Sequence, residues 1–504
     1  MLEERIRHAA LRSRVMLADE AQRYIQNGMN VGVSGFTKCG DVKAIPKALA
    51  RRAQRSGEAF KINLFTGASL GEAESILAKA NLIDRRMPYQ GDPTLRAGIN
   101  KGDVRYVDQH LSHMAEWVRG GILDIDIAVI EATAITENGG IVPTTSVGNS
   151  ATFVQRARQV IVELNLSVPT SFEGLHDIYL PKDRPYRSWI PIQTVSDRIG
   201  TPYIPCDPEK IVAIVVNDEP DSDSKIQPAD GDTQRMAEYI LEFFDWEVRQ
   251  GRLPDNLLPL QSGVGSVSNA VLSGLKRSRF ENLNIYTEVM QDAVFELFEA
   301  GKVNYASASS FALSEKMSRH VLSSIDSYRD KMVLRPQEIS NHPEVVRRLG
   351  VIAMNTALEV DLYGNVNSTH VTGSKMMNGI GGSGDFARNA ALTIFVTKSV
   401  AKDGRISSVV PFVSHVDHTE HDVDVLVTEQ GIADLRGLAP RERAQKMIEK
   451  LVHPDYKDAL LDYYTRAARR GGHTPHLMEE ALSWHARLEQ VGDMRKTRGL
   501  VRVQ

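Results

Sequence analysis

Cysteine is nearly absent: Cys39 and Cys206 are the only two in 504 residues. Two thiols so far apart make no disulfide framework, which points to a reducing compartment. Long apolar runs are missing too. The longest, such as Ile211-Val-Ala-Ile-Val-Val216, have the length of a strand and fall far short of a membrane span. No charge of one sign prevails, since 60 Lys and Arg stand against 64 Asp and Glu for a net charge of −4. That balance excludes the basic field of a nucleic-acid binder. The opening Met1-Leu-Glu-Glu-Arg-Ile-Arg-His8 is charged and lacks the apolar stretch of a secretory signal. The expectation is a cytoplasmic protein without nucleic-acid or membrane partners.

What is present is an α/β pattern too long for one core, so two or three domains are expected. Residues 1–28 read as helix, with Ile6, Leu11, Val15 and Leu17 at roughly helical spacing and Asn27-Gly28 as the stop. Beyond them, strand-like runs at Val31-Gly-Val33, Ile62-Asn-Leu-Phe-Thr66, Val104–Val107, Ile125–Ile130 and Val160–Leu164 alternate with helical ones. Such alternation means a largely parallel sheet.

The second half repeats this order. Leu260-Gln-Ser-Gly-Val-Gly265 mirrors the loop at Ser34-Gly35, and Leu283-Asn-Ile-Tyr-Thr287 mirrors Ile62–Thr66. Gly301–Tyr305 mirrors Gly102–Tyr106, Val351–Val366 mirrors Val129–Val142, Gly379–Ser383 mirrors Ser146–Ser150, and Ile394–Val396 mirrors the strand at Val160. Matches in a constant order argue for two related open-sheet halves. The acidic, proline-bearing run 218–232 has linker composition, which divides the chain into halves 1–225 and 226–504. The second half ends in helices carrying Ala444, Met447, Ile448 and Leu451, then Leu460, Leu461 and Tyr464, then Leu477, Leu482 and Leu488.

The repeat isolates one difference. Thr66 is followed by Gly67, whereas Thr287 is followed by Glu288. A requirement of the fold should appear in both copies, so a carboxylate in one copy alone suggests chemistry at the carboxyl end of a strand. The plainer reading is a charge at the start of the helix that follows. A second distinctive stretch is Gly379-Ile-Gly-Gly-Ser-Gly-Asp385, whose glycines let backbone N–H groups approach an anion or oxyanion, with Asp385 as a helix N-cap. A tight turn is the alternative; a Rossmann or P-loop fingerprint is excluded for want of its other residues. His415-Val-Asp-His418, with His421, has metal-ligand spacing but no second ligand cluster, so histidines hydrogen-bonded in a loop are preferred. Cys39 lacks a histidine partner for a catalytic thiol. Lys402 and Arg405 flank a turn and are either solvated or placed to meet phosphate, and Glu429 is a second carboxylate at a strand end.

At Ser262-Gly-Val-Gly265, Thr287-Glu288-Val289, Arg335-Pro-Gln-Glu-Ile-Ser-Asn341, Tyr363-Gly-Asn-Val-Asn-Ser368 and Asn378–Asp385, the sequence resembles the class I coenzyme A transferases. Within them it is similar to the acetyl-CoA hydrolase/transferase branch, over nearly the whole chain, from Ser34-Gly-Phe-Thr37 to Glu480–His485. The resemblance implies two α/β halves, a CoA exchange between acyl-CoA and a short-chain carboxylate, and Glu288 as nucleophile. It implies oxyanion donors at the Gly382 and Val264 backbone N–H groups and the Asn341 amide, with Glu429 a further active-site carboxylate. CoA, a substrate rather than a bound cofactor, would lie along Gln261, Ser262, Gly263, Val264, Gly265, Asn378, Gly382 and Lys402. A homodimer is also implied, and from the residues no metal is expected. Two departures stand out: the first glycine loop reads Thr37-Lys-Cys-Gly-Asp-Val-Lys43, and the linker holds only Lys225 as a cation. The latter makes an acetate- or propionate-type acyl group a safer expectation than a dicarboxylate. A hydrolase using the same glutamate and a noncatalytic CoA- or sugar-phosphate-binding module are the alternatives.

Overall fold

The computed structural model describes residues 2–57, 59–225 and 228–495. Two eight-stranded sheets dominate it. Across the first, the strands run Arg105–Tyr106, Ile83–Met87, Ile62–Phe65, Asn30–Val33, Ile127–Ile135, Gln159–Asn165 and Ile211–Asn217, all parallel, with Ile141–Pro143 antiparallel on Ile127–Ile135. Across the second they run Met332–Leu334, Val303–Ala308, Leu283–Tyr286, Leu260–Ser262, Ile352–Thr356, Leu392–Val396 and Val425–Thr428, again parallel, and Gly431–Asp434 closes the edge antiparallel. Leaving out the antiparallel strand of each, both sheets place their strands in the same order. Each reverses direction between its first strand and the strand after the fourth, and an open α/β sheet binds ligands at such a switch point.

The strand sequences explain the arrangement. Helices cover both faces of a parallel sheet, so its strands must be apolar throughout rather than alternating. Ile127–Ile135 is buried at every position, as is Leu392–Val396. One apolar cluster runs through both sheets, from Phe65, Ile130 and Val162 to Phe295, Leu334 and Ile394. A second joins the far end of the second sheet, at Phe395 and Leu426, to the terminal helices through Met447, Tyr456, Leu460 and Trp484.

Several expectations need correction. The segment 1–28 is not one helix but short pieces, Leu2–Arg5, Ala9–Arg14, Ala18–Ala21 and Gln22–Tyr24. Between them the chain pairs with the first sheet, Ile6 with Ile135 and Val15 with Ile214, so its apolar residues serve strand contacts rather than a helix face. The match of Gly301–Tyr305 to Gly102–Tyr106 is out of place. Val303–Ala308 occupies the position of Ile83–Met87, and Arg105–Tyr106 that of Met332–Leu334. What the two stretches share is a left-handed glycine after a helix, at φ 87° for Gly102 and 70° for Gly301, a conformation that side chains resist. The terminal helices are Pro440–Lys450, Pro454–Arg470 and Ser483–Val491, so Leu477 lies in the loop before the last.

The run 218–232 does more than connect, although its Ile226 and Gln227 lie outside the described residues. Asp221 accepts from Gly40 N at 3.1 Å and from Lys43 Nζ at 3.0 Å. Lys43 also donates to Glu131 at 2.5 Å. Burial works against the Lys43 ammonium, and Asp221, Glu131 and Asp41 more than offset it, raising its pKa well above the ordinary value. This network fills the end of the first sheet at its own switch point. Asp230 then caps helix Gly231–Arg249 by accepting from Thr233 N.

The sheets are tied by buried polar contacts. The fully buried Arg335 guanidinium, just past the strand Met332–Leu334, pairs with Asp177, donates to Ser307 Oγ at 2.9 Å and also reaches the Asp197 carbonyl. Arg119 holds Glu338 at 2.5 Å. Val147 N donates to Ser309 O, and Gln337 N to Gly148 O, each at 2.9 Å. Removing Asp177 leaves the Arg335 guanidinium buried without its counter-charge. Asp177→Ala is therefore expected to cost about 3–5 kcal/mol, seen as a lower urea midpoint, whereas a midpoint unchanged from the parent would show the pair to be dispensable.

Candidate active site

Glu288 stands between two strands, not at a helix start. The strand Leu283–Tyr286 ends, Val289–Gln291 pairs with Ser310–Ala312, and the helix begins only at Asp292 with Gln291 as its cap. The Glu288 carbonyl accepts from Ser309 N at 2.8 Å and Ser310 N at 3.1 Å. Two ladder bonds thus pin its backbone while its side chain faces a cavity of about 300 Å³. The helix-charge reading is set aside by this geometry.

Asn341 follows the short helix Gln337–Ser340 and is fully buried. Its Nδ2 donates to Glu288 Oε1 at 2.6 Å. Opposite them, Gly382 opens the turn of helix Ser383–Ala387. A Cβ on Gly382 would lie 1.7 Å from Glu288 Oε1 and 2.2 Å from Asn341 Nδ2, so only glycine fits there. Burial pushes the Glu288 carboxyl up to about 7, against the pull of the Asn341 hydrogen bond. Asp385 is buried behind Asn341 and is likewise pushed up to about 7 by burial. It is not the N-cap of the helix but lies inside it, accepting from Ser112 N at 3.0 Å and Ser112 Oγ at 2.6 Å. Its carboxylate is drawn to the amide that starts a helix of the other half, Leu111–Arg119, rather than to its own helix start.

The cavity lies at the switch point of the second sheet. Gly263 and Val264, after its first strand, line it together with Asn355 and Thr356, at the end of the adjacent strand. Asn378, Gly379, Gly381 and Gly382 form another wall. Among the residues named from the sequence, Glu288, Gly263, Val264, Asn378 and Gly382 face this space, and Asn341 reaches it through Glu288. Val264 is 55 % exposed. Gln261 and Ser262 are buried behind the loop, where Gln261 Oε1 accepts from Met354 N and from Asn355 Nδ2, both at 3.1 Å. Gly265 is the N-cap of helix Ser266–Leu275. Lys402 lies in a separate groove with Lys375 and Arg405. Glu429 does not line the cavity. Its carboxylate accepts from Ser399 N at 2.8 Å and from Gln430 Nε2 at 3.0 Å, and these bonds with that of the Ser399 hydroxyl outweigh burial and hold its pKa low.

The sequence reading missed the opposite wall, which comes from the first half: Phe36, Thr37, Ala68, Leu70, Tyr89 and Leu111. The signal was present, since Ser34-Gly-Phe-Thr37 is the counterpart of Ser262-Gly-Val-Gly265. Burial, followed by the nearby Glu288 charge, raises the Tyr89 hydroxyl to about 12, so it stays protonated at neutral pH. The histidine run is engaged in its loop: Asp417 accepts from Thr369 Oγ1 at 2.8 Å, the His370 and His415 rings lie 3.9 Å apart, and His418 Nε2 meets Ser383 Oγ at 3.1 Å. Among the described residues no group of His, Cys, Asp and Glu is arranged to hold a metal. Cys39 is buried, and burial raises its thiol pKa well above the ordinary value, the opposite of an activated thiol.

Two family models match the chain. The acetyl-CoA hydrolase/transferase N-terminal domain covers residues 1–216 and the corresponding C-terminal domain residues 318–464. The chain is 53 % identical to a succinyl-CoA:acetate CoA-transferase of Clostridium kluyveri, over 98 % of this chain and 92 % of that one. It is 44 % identical to an acetyl-CoA hydrolase of Candida glabrata, over 98 % of each. Among solved structures, a 4-hydroxybutyrate CoA-transferase of Porphyromonas gingivalis superimposes with a TM-score of 0.64 at 22 % identity, covering 92 % of this chain and 99 % of that one, a likeness of fold.

A raised carboxyl pKa has a sign that stability measurements can read. Folded Glu288 titrates near 7 and the ordinary value is 4.5, so its ionisation costs folding free energy progressively as pH rises between the two, and fully above. Glu288→Gln removes that cost. The variant is expected to be more stable than the parent by about 1–3 kcal/mol at pH 8, the full shift being reduced because the side chain opens on the cavity. At pH 4 the two should be nearly equal. Equal unfolding midpoints at both pH values would contradict a desolvated carboxyl.

Proposed function

The chain belongs to the acetyl-CoA hydrolase/transferase family and is an enzyme of acyl-CoA metabolism, and from that premise we propose that it moves CoA between a short-chain acyl-CoA and a carboxylate acceptor, with Glu288 as the nucleophile. The observation that carries this reading is a desolvated carboxylate facing a cavity at a sheet switch point, 2.6 Å from an amide donor and pressed against Gly382. The first half has Gly67 at the matching point. A noncatalytic binding module has no use for that arrangement.

The chemistry follows from the groups. A Glu288 oxygen attacks the acyl carbonyl carbon, the carbon–sulfur bond breaks, and CoA leaves as thiolate, giving an acyl-glutamyl anhydride. The thiolate then attacks the glutamyl carbonyl, releasing the first acid as carboxylate and leaving a glutamyl-CoA thioester. An acceptor carboxylate reverses both steps. Covalent catalysis divides one difficult exchange into exchanges between activated carbonyls. Each tetrahedral intermediate carries an oxyanion, for which Asn341 Nδ2 and the N–H groups of Gly382 and Val264 are the assigned donors. CoA is a substrate, and the reading requires no resident cofactor. The raised pKa of Glu288 fits a carboxylate that loses water before it attacks.

The walls support a choice of acyl group. Phe36, Ala68, Leu70, Leu111 and Val289 are apolar, and no lysine or arginine is among the described residues lining the cavity. A buried distal carboxylate without a counter-charge is costly, so acetyl, propionyl and butyryl groups are favoured over succinyl. The hydrolase alternative shares the first step and differs only in water taking the acyl or glutamyl carbonyl.

Incubation with propionyl-CoA, with and without acetate, separates the two. Acetyl-CoA should form in the presence of acetate, and release of free CoA at the same rate without any acceptor would overturn the transferase reading. Peptide mass spectrometry after exposure to acyl-CoA should find CoA on the Glu288 peptide, and Glu288→Ala should lose about 10³-fold or more in kcat. Gly382→Ala, whose methyl displaces the Glu288–Asn341 contact, should lose about 10²–10³-fold while its circular dichroism stays that of the parent; retained turnover would refute the contact's role.

A further inference from the structure

Behind the reacting carboxylate lies a second one that the reaction above does not use. Asp385 is 4 % exposed and Asn341 is fully buried. Asn341 Nδ2 sits between two carboxylates, 2.6 Å from Glu288 Oε1 and 3.4 Å from Asp385 Oδ2. An amide nitrogen has two hydrogens and an amide oxygen has none, so two flanking acceptors fix which end of the side chain faces them. Asn341 Oδ1 is buried without a hydrogen-bond partner among the described residues. It adds nothing to that choice, which therefore rests on Glu288 and Asp385 alone.

We propose that Asp385 is a positioning residue that keeps the Asn341 N–H groups aimed at Glu288 through the covalent steps. This rests on the function proposed above. In the free enzyme Glu288 itself attracts the amide. Once Glu288 is an anhydride or a thioester, it carries no negative charge and its oxygens are weak acceptors. Asp385 is then the acceptor still holding the amide. An Asn341 side chain turned end for end at that stage would present its oxygen to the developing oxyanion.

Asp385 is itself fixed from the other half of the molecule. Ser112, in the first turn of helix Leu111–Arg119, gives it two hydrogen bonds, from N at 3.0 Å and Oγ at 2.6 Å. The start of a nine-residue helix also favours a negative charge there. The chain of contacts Ser112, Asp385, Asn341, Glu288 thus runs from the first half to the reacting atom. The neighbouring glycine serves the same packing: a Cβ on Gly384 would lie 2.3 Å from the His110 ring.

The test is a double-mutant cycle, because a residue acting through Asn341 must lose its effect when Asn341 is gone. Asp385→Asn, close in shape, should lower kcat about 10- to 100-fold, a share of what one oxyanion donor supplies, and leave the KM for acyl-CoA within about 2-fold. In an Asn341→Ala background the same change should cost less than about 2-fold. Ser112→Ala, which keeps the backbone N–H, should cost about 3- to 10-fold, again only when Asn341 is present; it serves if Asp385→Asn does not fold. Effects that multiply independently of Asn341, or an unchanged kcat with only a lowered melting temperature, would overturn the proposal. Wild-type turnover by Asn341→Ala would instead sink the oxyanion assignment on which it rests, and absence of CoA transfer by the unaltered enzyme would sink the proposed function itself.

Discussion

One partly buried carboxylate on the wall of the cavity governs this molecule. The Glu288 carboxylate is partly buried, which raises its pKa, and among the described residues it accepts one short side-chain hydrogen bond, from Asn341. The features around it follow from holding that group where it is. Its backbone is tied into a strand pair through Ser309 and Ser310. The facing residue has no side chain because there is no room for one. The donor follows a short helix whose residues Gln337 and Glu338 are bonded to the first half by Gly148 and Arg119. A carboxylate left in water would need none of this.

The two sheets show what becomes of one topology under different demands. Both switch points are preserved. In the second, the space remains open between Val264, Asn355 and the glycine loop. In the first, Lys43, Glu131 and Asp221 close it with a buried ion network, completed by Thr144 Oγ1 and Asn165 Nδ2 on Glu131 at 2.8 and 3.0 Å. The first half is not idle, however, since Phe36, Leu70, Tyr89 and Leu111 wall the cavity that the second half leaves open.

Much of this was legible in the sequence. Apolar strands buried on both faces produce unbroken hydrophobic runs, so most central strands could be read from the sequence, and matching loops in constant order gave the repeat. Ile83–Met87, with Asp84, Arg85 and Arg86 inside it, shows no such run. The contrast of Gly67 with Glu288 pointed to a carboxylate that faces the cavity, because a fold requirement should recur in both copies. Helix termination misled at Gly301, where a left-handed glycine serves any helix end and carries no information about sheet position. The N-terminal segment misled because edge pairing and helix faces both draw on scattered apolar residues. Asp385 looked like a cap by its place before a helical run, and its true partner, Ser112, lies 273 residues away. Contacts of that range leave no local trace. The apolar wall at Leu70 and Leu111 was hidden for the same reason, and Glu429 looked like a partner of Glu288 because strand ends in sequence do not reveal which of them face one cavity.

The Lys43 network has a thermodynamic consequence for the whole chain. A crevice filled by its own side chains takes up no ligand, so ligand binding adds nothing to the stability of that crevice. The crevice beside Glu288 takes its occupant from solution, and whatever binds there adds stability by mass action. On the function proposed above, the protein thus pairs a self-filled crevice with one whose resistance to unfolding rises and falls with the supply of acyl-CoA.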